Sequence, residues 1–598
     1  MEGMETVRLR AGEMEALLED GGLRSIAYRG VEIVRGAYAA VRDRDWNTVL
    51  PRFESFALEE DAEGVSVRFS SVHEQGDIDF AWEGRIRFER RRIRFEFDGT
   101  ARSNFLKNRI GFCVLHPMEF AALPVEIRSP DGVAHSVFPG AISPHQPFRS
   151  IEGMSYEPAP GIHVRIDFDG DAFEMEDQRN WTDASYKTYC TPLELPFPVA
   201  VSAGQRIAQT VDIRVDERPS AQTRRRPDDG CRIVVRGEPR AALPAIGFAL
   251  PQAHGVTPPP KERLAELAPA FLRAVVDTTA DDWPERLDAA AEWSAACGCG
   301  LEIELLVGGE EELRRFAERL DRRRLPALRL LPFRSGSFAS DAETLAAVRR
   351  ALDERGCRVP IGGGSRAYYA ELNRATLPLA DMEFAAYPIN PQVHAFDDRS
   401  LMETLSAQSV TAADAAAKTG LPLYIGPVTF KPRLNPNATS GAVLTVADQT
   451  DARQRAAFGA AWTVGSLAAL CREPVRGISY YELCGPLGVI DERESGGNPL
   501  FDVFKEIGEF RGAAVLDAAS SSAKVAALAL REGARGRMLA ANVTAEPVRI
   551  EVAAGPYETA TVRAPGAPTG EERGGGRIEL TLAPYGAVAI DFAYGAER

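Results

Sequence analysis

The sequence predicts a multidomain α/β plus all-β protein: an antiparallel β-sandwich, a central (β/α)8 TIM-type barrel and a small second β-sandwich. Three observations lead there. Residues 1–235 alternate apolar and polar side chains with a period of two. From 236 to 511, apolar runs of strand length alternate with helix-forming stretches rich in Ala and Arg. From 512 to 598 short alternating runs return. A chain of 598 residues is also too long for a single core.

In the first domain the period of two is cleanest in Phe80-Ala-Trp82-Glu-Gly-Arg-Ile86-Arg-Phe88 and Ile93-Arg-Phe95-Glu-Phe97, as expected of strands with one face in a core. Two segments depart from it. The run 108–117 ends on His116, which reads as a buried, hydrogen-bonded structural histidine. The run 173–189 mixes carboxylates, amides, cations and aromatics without an apolar face. It reads as a loop that presents Asp177, Arg179, Asn180 and Lys187 to a polyol. Residues 219–238 turn to Arg, Pro, Asp and Gly, a linker composition.

Beyond the linker, eight apolar runs stand out: 245–250, 272–277, 301–307, 327–332, 358–362, 382–387, 423–428 and 478–483. Helical segments such as EEELRRFAERLDRR and DAETLAAVRRALDERG separate them. Strands apolar on both faces and alternating with helices imply a parallel sheet, and eight in this length imply a barrel. A dinucleotide-binding fold is disfavoured because no G-x-G-x-x-G follows a strand.

Composition narrows function. A net charge of −16 leaves no basic stripe to neutralise phosphates, so nucleic acid is not an expected partner. No stretch reaches ~18 uninterrupted apolar residues, so neither a membrane span nor a signal peptide is expected, and the reading is cytoplasmic. The eight cysteines are scattered without metal-ligand spacing and read as reduced thiols. No cofactor and no metal are expected. The expected partner is a small molecule, and a homo-oligomer stays open.

In such a barrel chemistry belongs at the C-terminal ends of the strands. The first run is followed by His254, the second by Asp277, Thr278 and Thr279. The fifth leads through three glycines to Tyr368, Glu371, Asn373 and Arg374, and the sixth to Asn390, Gln392, His394 and Asp397. After the seventh come Thr429, Lys431, Arg433, Asn435 and Asn437; the eighth ends in Tyr480, Tyr481 and Glu482. The overall architecture is glycoside-hydrolase-like, but the large clan of barrel glycosidases carries its two carboxylates at strands four and seven. Here those strands end in Leu-Leu-Pro-Phe and Gly-Pro-Val-Thr-Phe. The remaining candidates, Glu371, Glu482 and His394, suit general-base attack of water on an ester, with amide donors for the oxyanion. Tyr368, Asn373, Asp277 and Tyr481 join the sandwich residues as candidate substrate contacts. A metal held by His394, Asp397 and Glu371 is the less favoured arrangement, and a glycosidase using Glu371 and Glu482 is the alternative activity. A noncatalytic carbohydrate-binding protein is the third reading. Glu302 and Glu304 share one face of the third strand and are expected to pair with arginines.

The segments NRIGFCVLHP (108–117), EMEDQRNWTDASYKTY (174–189), GGGSRAYYAELNR (362–374) and NPQVHAFD (390–397) together resemble the D-apionate lactonase family. The resemblance spans all three domains. It implies hydrolysis of D-apionolactone, the lactone of a branched five-carbon sugar acid, to D-apionate in apiose catabolism. It brings no catalytic assignment, so the residue roles rest on the barrel argument alone.

Overall fold

The computed structural model describes residues 6–218, 230–252, 256–323, 325–441, 443–490, 497–567, 570–573 and 576–595. Most of the linker and His254 lie outside the described residues. The chain forms two compact units, Met1–Pro227 with Asn435–Val443, and Asp228–Leu434 with Leu444–Arg598.

In the first unit two nine-stranded sheets, antiparallel throughout, form the expected sandwich. Strand Ile78–Glu89 buries alternate residues and pairs with Arg92–Ala101, Phe88 opposite Ile93. The inward side chains of both sheets build one core, where Phe95 meets Phe112 edge-to-face at 4.8 Å. His116 is buried there with its Nε2 2.9 Å from Thr188 Oγ1. Burial lowers its imidazole to about 3, so it is neutral and structural.

In the second unit the expected eight-stranded barrel is present: Ala245–Ala249, Phe271–Asp277, Gly300–Val307, Ala327–Arg334, Gly363–Gly364, Ala385–Ile389, Leu423–Val428 and Val475–Cys484, the fifth strand falling just after the expected run 358–362 rather than on it. They pair in parallel, with the first beside the eighth. The ring closes between the fourth and fifth, where Leu330 N–H donates to Pro360 O and Gly362 N–H donates to Leu330 O, both at 2.9 Å. The fifth strand is only two residues long. Gly364 has φ +139°, and a Cβ there would lie 2.0 Å from Ala386 O, so only glycine lets the strands approach.

The last domain is one nine-stranded sheet around its own apolar cluster. It departs from the expected boundaries. Strand Cys231–Ala242, which the sequence reading divides at 235 between sandwich and barrel, pairs antiparallel with Ala514–Ser520 and parallel with Val548–Ala553. The chain thus contributes a strand to its last domain before building its barrel. Glu506, buried on helix Pro499–Gly508, ties the two together through ion pairs with Arg537 and Arg563. All eight cysteines are free thiols. Among the described residues no helix is long and apolar enough to cross a membrane.

Candidate active site

The barrel interior is not a stack of aliphatic layers. Arg273 on the second strand reaches across to Glu302 and Glu304 on the third, each at 2.8 Å. Arg329 on the fourth donates to Glu302 at 2.6 Å and lies over the Tyr424 ring. Arg366 donates to Glu304 at 2.9 Å, and Arg433 Nη1 stands 3.7 Å from the same carboxylate. Burial alone would raise the Glu304 carboxyl, but Arg433, Arg366 and Arg273 outweigh it and hold it far below the ordinary range. The expected pairing of Glu302 and Glu304 with arginines is present. Four arginines surround two glutamates.

At the C-terminal ends of the neighbouring first, eighth and seventh strands lies a narrow cleft. Glu482 and Arg433 face it, with Lys431, Gln252, Gln449 and Gln454 supplying further polar groups. Glu482 reaches it through a fault in its strand. Register with the first strand runs Phe248 to Tyr480, then Ala249 to Glu482, so Tyr481 is an inserted residue with φ +40°. Regular alternation would send Tyr481 inward and Glu482 outward. Instead both tyrosines turn to helix Ala457–Leu470. Tyr480 Oη lies 2.9 Å from Ser466 Oγ, and Tyr481 Oη 2.9 Å from Thr463 Oγ1. Glu482 then falls on the cleft side, 4% exposed, and accepts a hydrogen bond from Gln252 N–H at 3.1 Å.

Burial raises the Glu482 carboxyl to about 7, with the Gln252 amide and Arg433 only partly opposing it. A carboxyl poised there exchanges protons at neutral pH, as a general base or acid must. Arg433 has a side chain 10% exposed, and burial lowers its guanidinium against the pull of Glu304. Its Nη1 finds no hydrogen-bond partner among the described residues.

Of the sequence candidates, Glu482 and Tyr481 line the cleft, the latter with its hydroxyl turned away to Thr463. Glu371 follows the fifth strand, three places round the ring, and is the third residue of short helix Tyr369–Arg374. Its carboxylate accepts Tyr368 N–H at 2.8 Å in a capping box, and burial raises it. Asn373 is buried in that helix, and Tyr368 donates its hydroxyl to Leu434 O at 3.0 Å. His394 is half-buried in the loop before Asp397, which caps helix Asp398–Thr419 by accepting Ser400 N–H. Asp277 accepts two bonds from Thr279.

The four sandwich residues are engaged inside the first unit. Asp177 receives Arg179 Nη2 at 2.6 Å, Arg179 also bonds Pro139 O and Gly140 O, Asn180 donates to Ser143 O, and Lys187 pairs with Glu176. The segment is not a loop throughout, as the sequence suggested: residues 173–177 and 185–189 are buried strands. Lys431 and Arg433 were legible as strand-end residues without a role. Gln252, Gln449 and Gln454 carry no sequence signal, because an amide in a loop is ordinary.

The family model for the N-terminal domain of D-apionate lactonase matches residues 2–218, that for its TIM-barrel domain 248–512, and that for its C-terminal immunoglobulin-like domain 522–590. A curated relative, the D-apionate lactonase of Brucella anthropi, is 29% identical over 536 residues, covering 84% of this chain and 87% of its own. Matching solved structures include a GH30 endoxylanase from Clostridium papyrosolvens (10% identity, 61% of this chain and 100% of that one, TM-score 0.42). Another is a family 51 α-L-arabinofuranosidase from Bifidobacterium longum (15% identity, 60% and 99%, TM-score 0.41). With three domain models spanning most of its length, the chain belongs to the D-apionate lactonase family.

Proposed function

We propose that the cleft hydrolyses D-apionolactone to D-apionate, a step of apiose catabolism, with Glu482 as the general base. The observation that carries this reading is the pairing of one proton-exchanging carboxyl with an under-bonded guanidinium in a single cleft. Ionised Glu482 takes a proton from water as the water oxygen adds to the lactone carbonyl carbon. The carbonyl electron pair moves to oxygen, where Arg433 stabilises the charge. Collapse restores the carbonyl and breaks the ring C–O bond, and Glu482 returns its proton to the departing ring oxygen. The new acid then ionises to solvent. Gln449 and Gln454 line the cleft with their amide N–H groups already donated to Leu444, Thr445 and Leu487 carbonyls, so their side-chain oxygens are the groups suited to substrate hydroxyls. Glu371 follows the fifth strand and His394 the sixth, beside the seventh; neither lines the cleft, and this reading gives them no proton-transfer role.

A glycosidase needs a second carboxylate within ~5–10 Å. Glu482 is the only acidic side chain among the described residues lining the cleft, which disfavours that alternative. The test is acid release from D-apionolactone in a pH-stat. The expected result is strong acceleration over spontaneous opening and a loss of roughly 10²–10⁴-fold in Glu482→Gln. No acceleration by the wild-type protein sinks the reading.

A further inference from the structure

Arg433 is engaged by less than its charge demands. Its nearest carboxylate, Glu304, already receives Arg273 and Arg366 at 2.8 and 2.9 Å, while Arg433 Nη1 stays at 3.7 Å without a hydrogen bond among the described residues. Glu302 is likewise taken up by Arg273 and Arg329. A buried guanidinium that lacks acceptors has lost hydration it does not regain. Its planar fork matches a carboxylate through two parallel bonds, whereas a neutral lactone carbonyl offers one oxygen. Lys431 adds a second cation to the same cleft wall.

We propose that Arg433, assisted by Lys431, forms a carboxylate site that retains ring-opened sugar acids and lets polyhydroxy carboxylates compete with the lactone. The site rests on the reading of this cleft as the place of lactone hydrolysis. It adds that the product binds more tightly than a neutral compound of the same shape. Hydrolysis then slows as acid accumulates, and whatever reaction consumes the acid sets the flux.

The experiment compares D-apionate with D-apionamide, which keeps the hydroxyls and removes the charge, by calorimetric binding and by inhibition of lactone hydrolysis. Wild-type protein should bind the acid at least tenfold more tightly than the amide, in competition with lactone. Arg433→Gln should erase that preference, and Lys431→Gln should reduce it by a smaller factor. Equal binding of acid and amide to the wild-type protein overturns the site, and this comparison needs no variant to fold. Acid affinity unchanged in a folded Arg433→Gln protein also overturns it. The two proposals fail separately. Absent turnover with an intact acid preference removes the hydrolytic reading alone, and normal turnover without that preference removes the carboxylate site alone.

Discussion

Glu482 carries an electrostatic cost that its neighbours only partly relieve. Its carboxyl ionises near 7 in the folded protein against an ordinary value of 4.5. Between those values the folded state holds a proton that the unfolded chain has released, so stability contributed by this group falls as pH rises through the window. Above it, the buried charge costs about 3 kcal/mol. Glu482→Gln should therefore melt higher than wild type at about pH 8, with the gain shrinking towards pH 4.5, even as activity is lost. Thermal denaturation at several pH values checks this. For wild type, kcat/KM should rise with pH through about 7 and then level off, because the base must be ionised. Glu304 stands at the opposite extreme, held ionised by three arginines. Glu304→Gln would leave buried guanidinium groups uncompensated and should destabilise the protein by about 3–5 kcal/mol, measurable by denaturant unfolding. Glu482 was legible as a carboxylate at a strand end. Its association with Gln252 and Arg433 was not, since those residues come from loops after two other strands.

Among the elements, the eighth strand decides where the chemistry sits. Its sequence, Ile478-Ser-Tyr-Tyr-Glu-Leu483, reads as one continuous strand without a turn residue. Nothing in that run announces a residue at φ +40°. A non-glycine residue in that region is strained by about 1–3 kcal/mol and persists only where its surroundings hold it. The paired hydroxyls Ser466 and Thr463, one turn apart on the neighbouring helix, supply that hold. Tyr481→Phe removes one of them. It should cost about 1 kcal/mol of stability and lower kcat roughly tenfold with little change in KM, because Glu482 loses its fixed aim rather than its contacts. Equal kcat in the variant would show that packing alone sets the strand phase. Strand existence follows from hydrophobic pattern and was legible for every barrel strand but the two-residue fifth, which lies on glycines just past the expected run; strand phase depends on a helix elsewhere in the sequence and was not.

At the scale of the molecule, the order of sandwich, barrel and β-domain follows from periodicities written in each stretch. The seams do not. CRIVVRGEPRAA looks like any strand, and only its partners at 514–520 and 548–553 assign it to the last sheet. A protein ending at residue 511 would expose this strand's edges and strip Arg537 and Arg563 from buried Glu506. It should express as aggregate rather than as a free barrel, which size-exclusion chromatography of the soluble fraction would reveal.

That same forward contribution has a consequence in time. Roughly 270 residues separate Ala242 from its partner Ala514. At ribosomal rates of about 5–20 residues per second, the strand waits roughly 15–50 s for a neighbour to be synthesised. Through that interval the barrel is threaded between two halves of an unfinished sheet, and the strand's unpaired edge is open to any other chain nearby. Sheltering this one segment during translation should therefore raise yield in the cell without changing the stability of the finished protein.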